Sequence, residues 1–160
     1  MAKEKIPGTP AIRLLRQHKV SFTPRLYRYE AKGGTAASAR ELAVPEHQVI
    51  KTLIMEDEQR NPLVVLMHGD CEVSTKRLAR TLGLKQINPC KPDVADRHSG
   101  YQVGGTSPFG TRRSMPVYVE ASIFELETIY INGGRRGMLL EMNPADLYKV
   151  LKLTLVEVTS

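Results

Sequence analysis

Two apolar runs rich in β-branched residues constrain the fold more than any other feature of the sequence. They occupy residues 49–55 (VIKTLIM) and 63–68 (LVVLMH), and an acidic turn containing Asn61-Pro62 separates them. Runs of this length and composition are typical of buried strands, and a short turn between two of them favours a β-hairpin. We therefore predict a hairpin at the centre of a sheet.

The other secondary-structure signals are shorter and are spread along the chain. Thr9, Ser38 and Ser74 are the expected caps of the first three helices. Helices are predicted at residues 10–18, 35–44, 74–82, 92–98 and 143–150, and strands at 25–30, 117–120, 128–131, 138–142 and 153–158. Because strands outnumber helices without regular βα alternation, we expect an α+β fold with a mixed, curved, barrel-like sheet flanked by helices.

Length and hydropathy indicate one globular domain over residues 1–160. Hydrophobic residues make up 41% of the chain, which is enough for a real core. No apolar run approaches the roughly 20 residues that a membrane span needs. Residues 1–8 also lack the apolar core of a signal peptide. We therefore expect a cytoplasmic protein without membrane contact.

The charge balance favours a polyanionic partner. The formal net charge is +6 and the sequence pI is about 9.4. Basic residues recur along the whole chain, in the clusters 13–19, 25–28, 76–80, 112–113 and 135–136. Many basic proteins never bind nucleic acid, so this feature alone does not identify the partner.

Sequence motifs for metal or nucleophilic chemistry are missing. The histidines lack HExxH or similar spacing, and the two cysteines form no CxxC pair. There is no GxSxG elbow and no phosphate-binding GxxxxGK[ST] loop. The histidines are His18, His47, His68 and His98, and the cysteines are Cys71 and Cys90. We therefore predict no metal and no cofactor.

Two features stand out against this background. Lys51 interrupts an apolar strand, where an ammonium is costly unless it reaches a cleft or a partner, although a lysine on an edge strand is an equal alternative. The second feature is the segment Gly104-Gly105-Thr106-Ser107-Pro108, whose consecutive amides could converge on an oxygen as in an oxyanion hole. A structural turn is the commoner explanation of such a segment.

Four sequence blocks carry a resemblance to a known family. They are residues 9–15 (TPAIRLL), 48–53 (QVIKTL), 100–110 (GYQVGGTSPFG) and 129–137 (IYINGGRRG). In this order they resemble the YbaK family of tRNA-editing deacylases, which is similar to the editing domain of bacterial prolyl-tRNA synthetases. The resemblance covers residues 9 to about 155 and implies the fold of that family.

The resemblance implies hydrolysis of the 3′ ester of a mischarged tRNA, without metal or cofactor. Lys51 is then expected to engage the 3′-terminal adenosine, and the glycine loop is expected to hold the aminoacyl group. For cysteine, the thiol of the substrate can attack its own ester, so the protein need only orient and stabilise. The expected catalytic residues are Lys51, Gly104, Gly105 and Ser107, and the expected substrate-binding residues are Tyr29, Thr52, Thr106, Pro108, Asn132, Gly133 and Leu139.

Some positions depart from the cysteine-specific pattern of the family. Asn132 stands where a serine is typical, Leu139 stands where an aspartate is typical, and residues 33–36 (GGTA) replace an aromatic-bearing segment. Cys-tRNA(Pro) is the leading substrate, with alanine, serine and threonine esters as alternatives. The tRNA body is recognised either by this chain or by a partner such as prolyl-tRNA synthetase, and the oligomeric state is open.

Two other classes of function fit the same residues. One is a non-catalytic module that binds tRNA or a synthetase through the basic clusters and the same cleft. The other is a small-molecule hydrolase whose basic charge is incidental.

Overall fold

The predicted hairpin forms the middle of a mixed sheet of eight strands. The structure is a computed structural model that describes residues 6–160. The prediction about a signal peptide falls partly on residues 1–5, which lie outside the described residues. Within residues 6–160, no helix is long and apolar enough to cross a bilayer.

In chain order, the elements are α1 (Pro10–Gln17), β1 (Thr23–Leu26), α2 (Gly34–Leu42), β2 (Val49–Asp57), β3 (Pro62–His68), α3 (Thr75–Leu82), β4 (Ile87–Pro89), α4 (Pro92–Ser99), β5 (Val117–Glu120), β6 (Ile129–Asn132), β7 (Met138–Met142), α5 (Leu147–Val150) and β8 (Leu153–Val156). Short 3-10 helices lie at Glu46–Gln48, Ala121–Glu125 and Pro144–Asp146.

The strand order in the sheet is β1-β7-β6-β2-β3-β5-β8, and β4 also pairs with β2. β2 and β3 are antiparallel from Ile50↔His68 to Glu56↔Pro62. The pairs β2–β6, β3–β5 and β5–β8 are parallel, whereas β1–β7, β6–β7 and β2–β4 are antiparallel. This mixed sheet with separate helices confirms the predicted α+β class.

The edge of β2 that faces away from β3 is paired only at its two ends. Val49 and Ile50 pair with β6, and residues 55–57 pair with β4. Between these pairings, no strand within residues 6–160 lies against β2 on this side. The sheet therefore has an internal gap beside residues 51–54.

The helix caps follow the sequence at α1 and α3. The Thr9 hydroxyl accepts from the Ile12 amide, and the Ser74 hydroxyl accepts from the Arg77 amide. Gly83 ends α3 with φ of 71°, a left-handed conformation that favours glycine. Ile12 and Leu15 of α1 are fully buried in the largest core cluster, so this helix closes one face of the sheet.

The predicted strand at 25–30 is wrong at both ends. β1 spans Thr23–Leu26, because its partner β7 begins at Met138, which pairs with Leu26. The Tyr27 amide still donates to the Gly137 carbonyl, and the chain then leaves the sheet. Pro24 lies in the outermost strand, where proline is tolerated because its missing amide leaves no ladder hydrogen bond unmade.

The predicted cap at Ser38 is also wrong. α2 begins at Gly34, so Ser38 lies inside the helix, where it is buried and its hydroxyl donates to the Thr35 carbonyl. Gly33 takes the cap position, and glycine is needed there because a Cβ would lie 2.6 Å from the Cβ of Ala37.

Three smaller differences concern short strands. β4 was not predicted, since Ile87–Pro89 is only three residues long and ends in proline. β6 begins and ends one residue later than predicted. β8 ends at Val156, because the Val158 amide donates to the Glu120 carboxylate instead of continuing a strand.

Candidate functional site

A cavity of about 960 Å³ opens beside the gap in the sheet. Its walls come from β2, the segment between β1 and α2, the first turn of α2, the start of α4 and the glycine loop. Volumes near this size are typical of small-molecule sites. Of the predicted site residues, the lining contains Tyr29, Lys51, Thr52, Gly104, Thr106, Asn132 and Leu139.

Lys51 is the cation of this cavity wall. Its side chain is 19% exposed, and its Nζ lies 3.5 Å from Oε1 of Glu72, which is 84% exposed. An ion pair with so exposed a partner is weak and is readily exchanged. The amine therefore lies at the cavity and remains available to an anionic ligand.

Thr52 has polar groups for which residues 6–160 supply no partner. Its Oγ1 is buried and has no hydrogen-bond partner among the described residues. The Val49 carbonyl accepts from Gly69, on the β3 side, and the Ile54 carbonyl accepts from Cys90, on the β4 side. Because main-chain groups alternate sides along a strand, the amide and carbonyl of Thr52 face the gap.

The glycine loop contributes only alternate residues to the cavity. Gly104 and Thr106 line it, and no acceptor for either amide is found among residues 6–160. The Gly105 amide donates to the Gln102 carbonyl at 2.7 Å, so it is committed to a turn. The predicted row of consecutive free amides is therefore interrupted at its second member.

Gly105, Ser107 and Pro108 lie outside the cavity lining and are buried. Ser107 is fully buried, and its hydroxyl accepts from the Phe109 amide at 3.1 Å. The Tyr101 hydroxyl donates to the Phe109 carbonyl, which closes the loop further. In the structure, the Ser107 side chain therefore stabilises the loop from inside and does not line the cavity.

Asn132 ties the turn after β6 to the glycine loop. Its Oδ1 accepts from the amides of Gly134 and Arg135, and its Nδ2 donates to the Gly104 carbonyl. These three hydrogen bonds use the side chain for positioning. Gly133 lies outside the lining, where a Cβ would come within 2.8 Å of the Met138 side chain.

Tyr29 and Arg136 also line the cavity and contact each other. The Arg136 guanidinium carbon lies 4.9 Å from the centre of the Tyr29 ring, a cation–π distance. Arg136 Nε also donates to the Val103 carbonyl at 2.9 Å. A Cβ on Gly104 would lie 2.7 Å from the Tyr29 hydroxyl, so glycine permits this close approach.

Cys90 belongs to no CxxC pair in the sequence, and the structure places it in the cavity lining. Burial, and secondarily the Glu56 carboxylate, raises the pKa of its thiol to about 11. The thiol therefore remains protonated near neutral pH. Its place in the lining follows from β4, which the sequence did not predict.

The first turn of α2 also lines the cavity, at residues 33–36, the segment that departs from the pattern of the family that the sequence resembles. Gly33, Gly34, Thr35 and Ala36 contribute to it, and the helix has no side-chain cap. Amides at a helix start carry partial positive charge that favours anions. The pair Gly33-Gly34 was the available signal, since it lets this turn approach other groups closely.

The fold and this lining define a class of protein: an α+β domain whose cavity presents a cation, main-chain groups and a hydroxyl that has no partner within residues 6–160. The chain belongs to the aminoacyl-tRNA editing domain family, whose pattern matches residues 30–150. This membership confirms the resemblance inferred from the four sequence blocks.

Two curated relatives illustrate the similarity. The chain is 28% identical over 162 aligned residues to a candidate Cys-tRNA(Pro)/Cys-tRNA(Cys) deacylase, EbsC, of Enterococcus faecalis, covering 100% of this chain and 99% of that protein. It is 27% identical over 136 residues to a proline–tRNA ligase of Thermodesulfovibrio yellowstonii. That match covers 85% of this chain and 22% of the ligase.

Solved structures share the fold. A crystal structure of a hypothetical protein superposes with a TM-score of 0.86 at 20% identity, covering 95% of this chain and 100% of the other. A crystal structure of a candidate trans-editing enzyme for prolyl-tRNA synthetase gives a TM-score of 0.79 at 16% identity, with 95% and 98% coverage.

Proposed function

We propose that this protein hydrolyses the 3′ ester of mischarged aminoacyl-tRNA in trans, with Cys-tRNA(Pro) as its leading substrate. The observation that carries the proposal is the gap beside β2, where Lys51 and Thr52 present polar groups to a cavity of about 960 Å³. The family membership and the name of the Enterococcus relative support the reaction and the substrate.

In this proposal the 3′-terminal adenosine enters beside Lys51. The ammonium contacts the phosphate or ribose oxygens in place of its weak contact with Glu72. The Thr52 hydroxyl and main-chain groups hydrogen-bond the ribose or the α-amino group. Such contacts fix the ester without a covalent intermediate on the protein.

The amides of Gly104 and Thr106 are assigned to the ester carbonyl in this proposal. They would stabilise the negative charge that develops on the carbonyl oxygen when a nucleophile adds. With cysteine, the substrate thiolate adds to its own carbonyl and expels the ribose oxygen, which takes up a proton. Water then opens the cyclic thioester, so free cysteine and intact tRNA are the products.

The amino-acid end of the cavity is apolar. Leu139 is 4% exposed and packs with Val49 and Tyr130 in a small core cluster. This lining favours small uncharged side chains, so among the three alternatives we rank alanine ahead of serine and threonine.

Recognition of the tRNA body is proposed to be shared with a partner such as prolyl-tRNA synthetase. The similarity to part of a proline–tRNA ligase supports a working relationship between this domain and that enzyme. A tRNA-binding module without turnover and a small-molecule hydrolase remain the alternatives that the following experiment separates.

The test is a hydrolysis panel with Cys-tRNA(Pro), Cys-tRNA(Cys) and alanyl, seryl and threonyl esters. We expect hydrolysis well above the spontaneous rate for at least one of them, with Cys-tRNA(Pro) the fastest. Binding of tRNA without turnover of any ester would contradict the proposal and favour a binding module. Turnover that is indifferent to the tRNA would favour a small-molecule hydrolase.

Lys51→Ala is expected to lower kcat/KM by at least about 100-fold, because removing one preorganised charged or polar contact typically costs that much. Lys85→Ala is the matched control, since Lys85 is exposed and lies outside the cavity lining. Circular dichroism checks that both variants fold. Undiminished turnover by Lys51→Ala would remove Lys51 from the site.

A further inference from the structure

Three side chains with metal-binding atoms meet beside the cavity, although they are distant in sequence. His47 lies in the 3-10 helix Glu46–Gln48, before β2, and Asp70 and Cys71 lie in the turn after β3. One ligand atom from each lies within 4.8 Å of the other two. Motif spacing did not reveal this group, because only the antiparallel pairing of β2 with β3 brings its members together.

The Asp70 carboxylate is the common partner of the other two side chains. The His47 Nδ1 lies 2.8 Å from Asp70 Oδ1, and the Cys71 thiol donates to the same oxygen at 3.4 Å. Zinc bonds of 2.0 to 2.3 Å in a tetrahedron place ligand atoms about 3.5 Å apart. Small side-chain movements therefore suffice to replace the two bridging hydrogens by a metal ion.

The His47 ring is held in place before any ion binds. It stacks on the His68 ring with centroids 3.7 Å apart and planes at 6°. His68 is 1% exposed, and its two ring nitrogens contact the His47 carbonyl and the Ser122 hydroxyl. On the other side, the Cys71 amide donates to the His68 carbonyl. Both ligand-bearing segments are therefore anchored to one buried residue.

We propose that His47, Asp70 and Cys71 bind one zinc ion, with the fourth position open to water. A thiolate, an imidazole and a carboxylate together favour zinc over magnesium or calcium, which prefer oxygen ligands. The two negative charges of the thiolate and the carboxylate balance the two positive charges of the zinc ion. The side chains of His47 and Asp70 are 46% and 43% exposed, which gives the ion a path of entry.

The protonation of the free ligands makes binding dependent on pH. Burial, and then the neighbouring Asp70, raises the pKa of the Cys71 thiol. Burial opposes ionisation of Asp70, but hydrogen bonds from His47 and Cys71 outweigh it and lower its pKa. The metal must therefore displace the thiol proton, so zinc affinity is expected to fall as the pH is lowered.

The experiment is a titration of the full chain with Co²⁺, a spectroscopic substitute for zinc, at about pH 7.5 where displacement of the thiol proton is feasible. We expect one equivalent to produce a thiolate-to-cobalt charge-transfer band, and Zn²⁺ to abolish it. The Cys71→Ser variant is expected to lose the band, and Cys90→Ser, the matched control, to keep it. His47→Ala and Asp70→Asn are expected to weaken binding at least about tenfold.

A second measurement needs no variant. Zn²⁺ is expected to protect Cys71, identified by mass spectrometry, from alkylation in the wild-type chain, and a chelator is expected to remove the protection. The absence of a thiolate band in the wild type, its persistence in Cys71→Ser, or unchanged alkylation of Cys71 would overturn the site. None of these outcomes depends on tRNA hydrolysis, so the zinc site is tested independently of the proposed function.

Discussion

Thr52 is the residue whose environment is expected to change most when a ligand binds. Its buried hydroxyl has no hydrogen-bond partner among the described residues, and a buried unpaired hydroxyl costs about 1–3 kcal/mol. A ligand that supplies a partner would recover that cost. The free protein thus holds this group in a state that favours binding.

Thr52→Val is therefore expected to leave the melting temperature unchanged or slightly raised. Valine has nearly the same shape as threonine but lacks the unsatisfied hydroxyl. The same change is expected to lower kcat/KM for the preferred aminoacyl-tRNA by up to about tenfold, the value of one hydrogen bond. Thermal denaturation and single-turnover hydrolysis measure the two effects. Thr52→Ser, which keeps the hydroxyl, is the control, and equal activity of the Val and Ser variants would contradict this role.

At the residue scale, the sequence predicted the lining residues of β2 better than those of the glycine loop. An ammonium in an apolar strand needs a cleft, a partner or a strand edge, and the family resemblance assigns Lys51 to the pocket; the structure places it in the cavity lining. Ser107 lies outside that lining because its hydroxyl accepts from the Phe109 amide. The direction of each amide in a glycine loop depends on φ angles such as the 92° of Gly104, which composition does not specify.

At the element scale, the contact between the glycine loop and the turn after β6 shapes the rim of the cavity. A Cβ on Gly105 would lie 2.6 Å from the Arg136 amide nitrogen and 2.8 Å from the Arg135 carbonyl carbon. Both contacts are with backbone, so side-chain movement does not relieve them. Asn132 spans the same contact through its bond to the Gly104 carbonyl.

Gly105→Ala is expected to separate the loop from the turn and to lower both the melting temperature and the activity. Overpacking of this kind typically costs about 1–3 kcal/mol, or roughly 2–12 °C for a chain of this size. Gly8→Ala is the matched control, because a Cβ there meets nothing within 4 Å. Differential scanning fluorimetry compares the two variants, and equal melting temperatures would contradict the predicted clash.

The edge strand β1 is held partly by charge. Arg25 Nη2 lies 2.8 Å from Glu141 Oε1 on β7. Arg25 is the main reason why the pKa of Glu141 is lowered. A carboxylate with a lowered folded-state pKa contributes stability above its unfolded pKa, about 4.3, and this contribution is lost as the pH falls through the folded-state value.

Glu141→Gln is expected to lower the melting temperature by no more than about 4 °C at pH near 7, because exposed ion pairs contribute at most about 1 kcal/mol. The difference from wild type is expected to shrink as the pH falls below about 4. Glu157→Gln serves as control, since Glu157 is exposed and forms no ion pair within residues 6–160. A difference that persists undiminished in acid would contradict the assigned cause.

Sequence patterns predicted those elements that depend mainly on neighbouring residues. The caps Thr9 and Ser74 and the central hairpin depend on neighbouring residues, and the structure confirms them. The parallel pairing of β2 with β6 joins residues far apart in sequence, so no local pattern specifies it. The short strand Ile87–Pro89 depends on β2 for its hydrogen bonds and has little strand signal of its own.

At the scale of the whole molecule, the net charge of +6 bears on how a polyanion approaches the cavity. Arg135 is exposed and lines a smaller groove that shares Tyr27, Tyr29 and Arg136 with the main cavity. Arginine beside tyrosine rings is a common surface for single-stranded RNA. Under the proposed function, this groove would be the path for nucleotides that precede the terminal adenosine.

For an aminoacyl-tRNA substrate, kcat/KM is expected to fall as salt rises, because phosphate contacts release counterions. Arg135→Ala is expected to reduce the log–log slope by about 0.7, the value of one single-strand phosphate contact. Arg80→Ala, which changes an exposed arginine of α3 outside both cavities, is the control. An identical slope in wild type and Arg135→Ala would exclude the groove from the RNA path.

The gap beside β2 also affects how this domain can diversify. Main-chain donors and acceptors persist through nearly every substitution, so point mutations cannot easily erase them. The surrounding side chains, such as Leu139, can change without removing these groups. Under the proposed function, preference for one amino acid over another could therefore change by substitution while the contacts to the common ribose end remain.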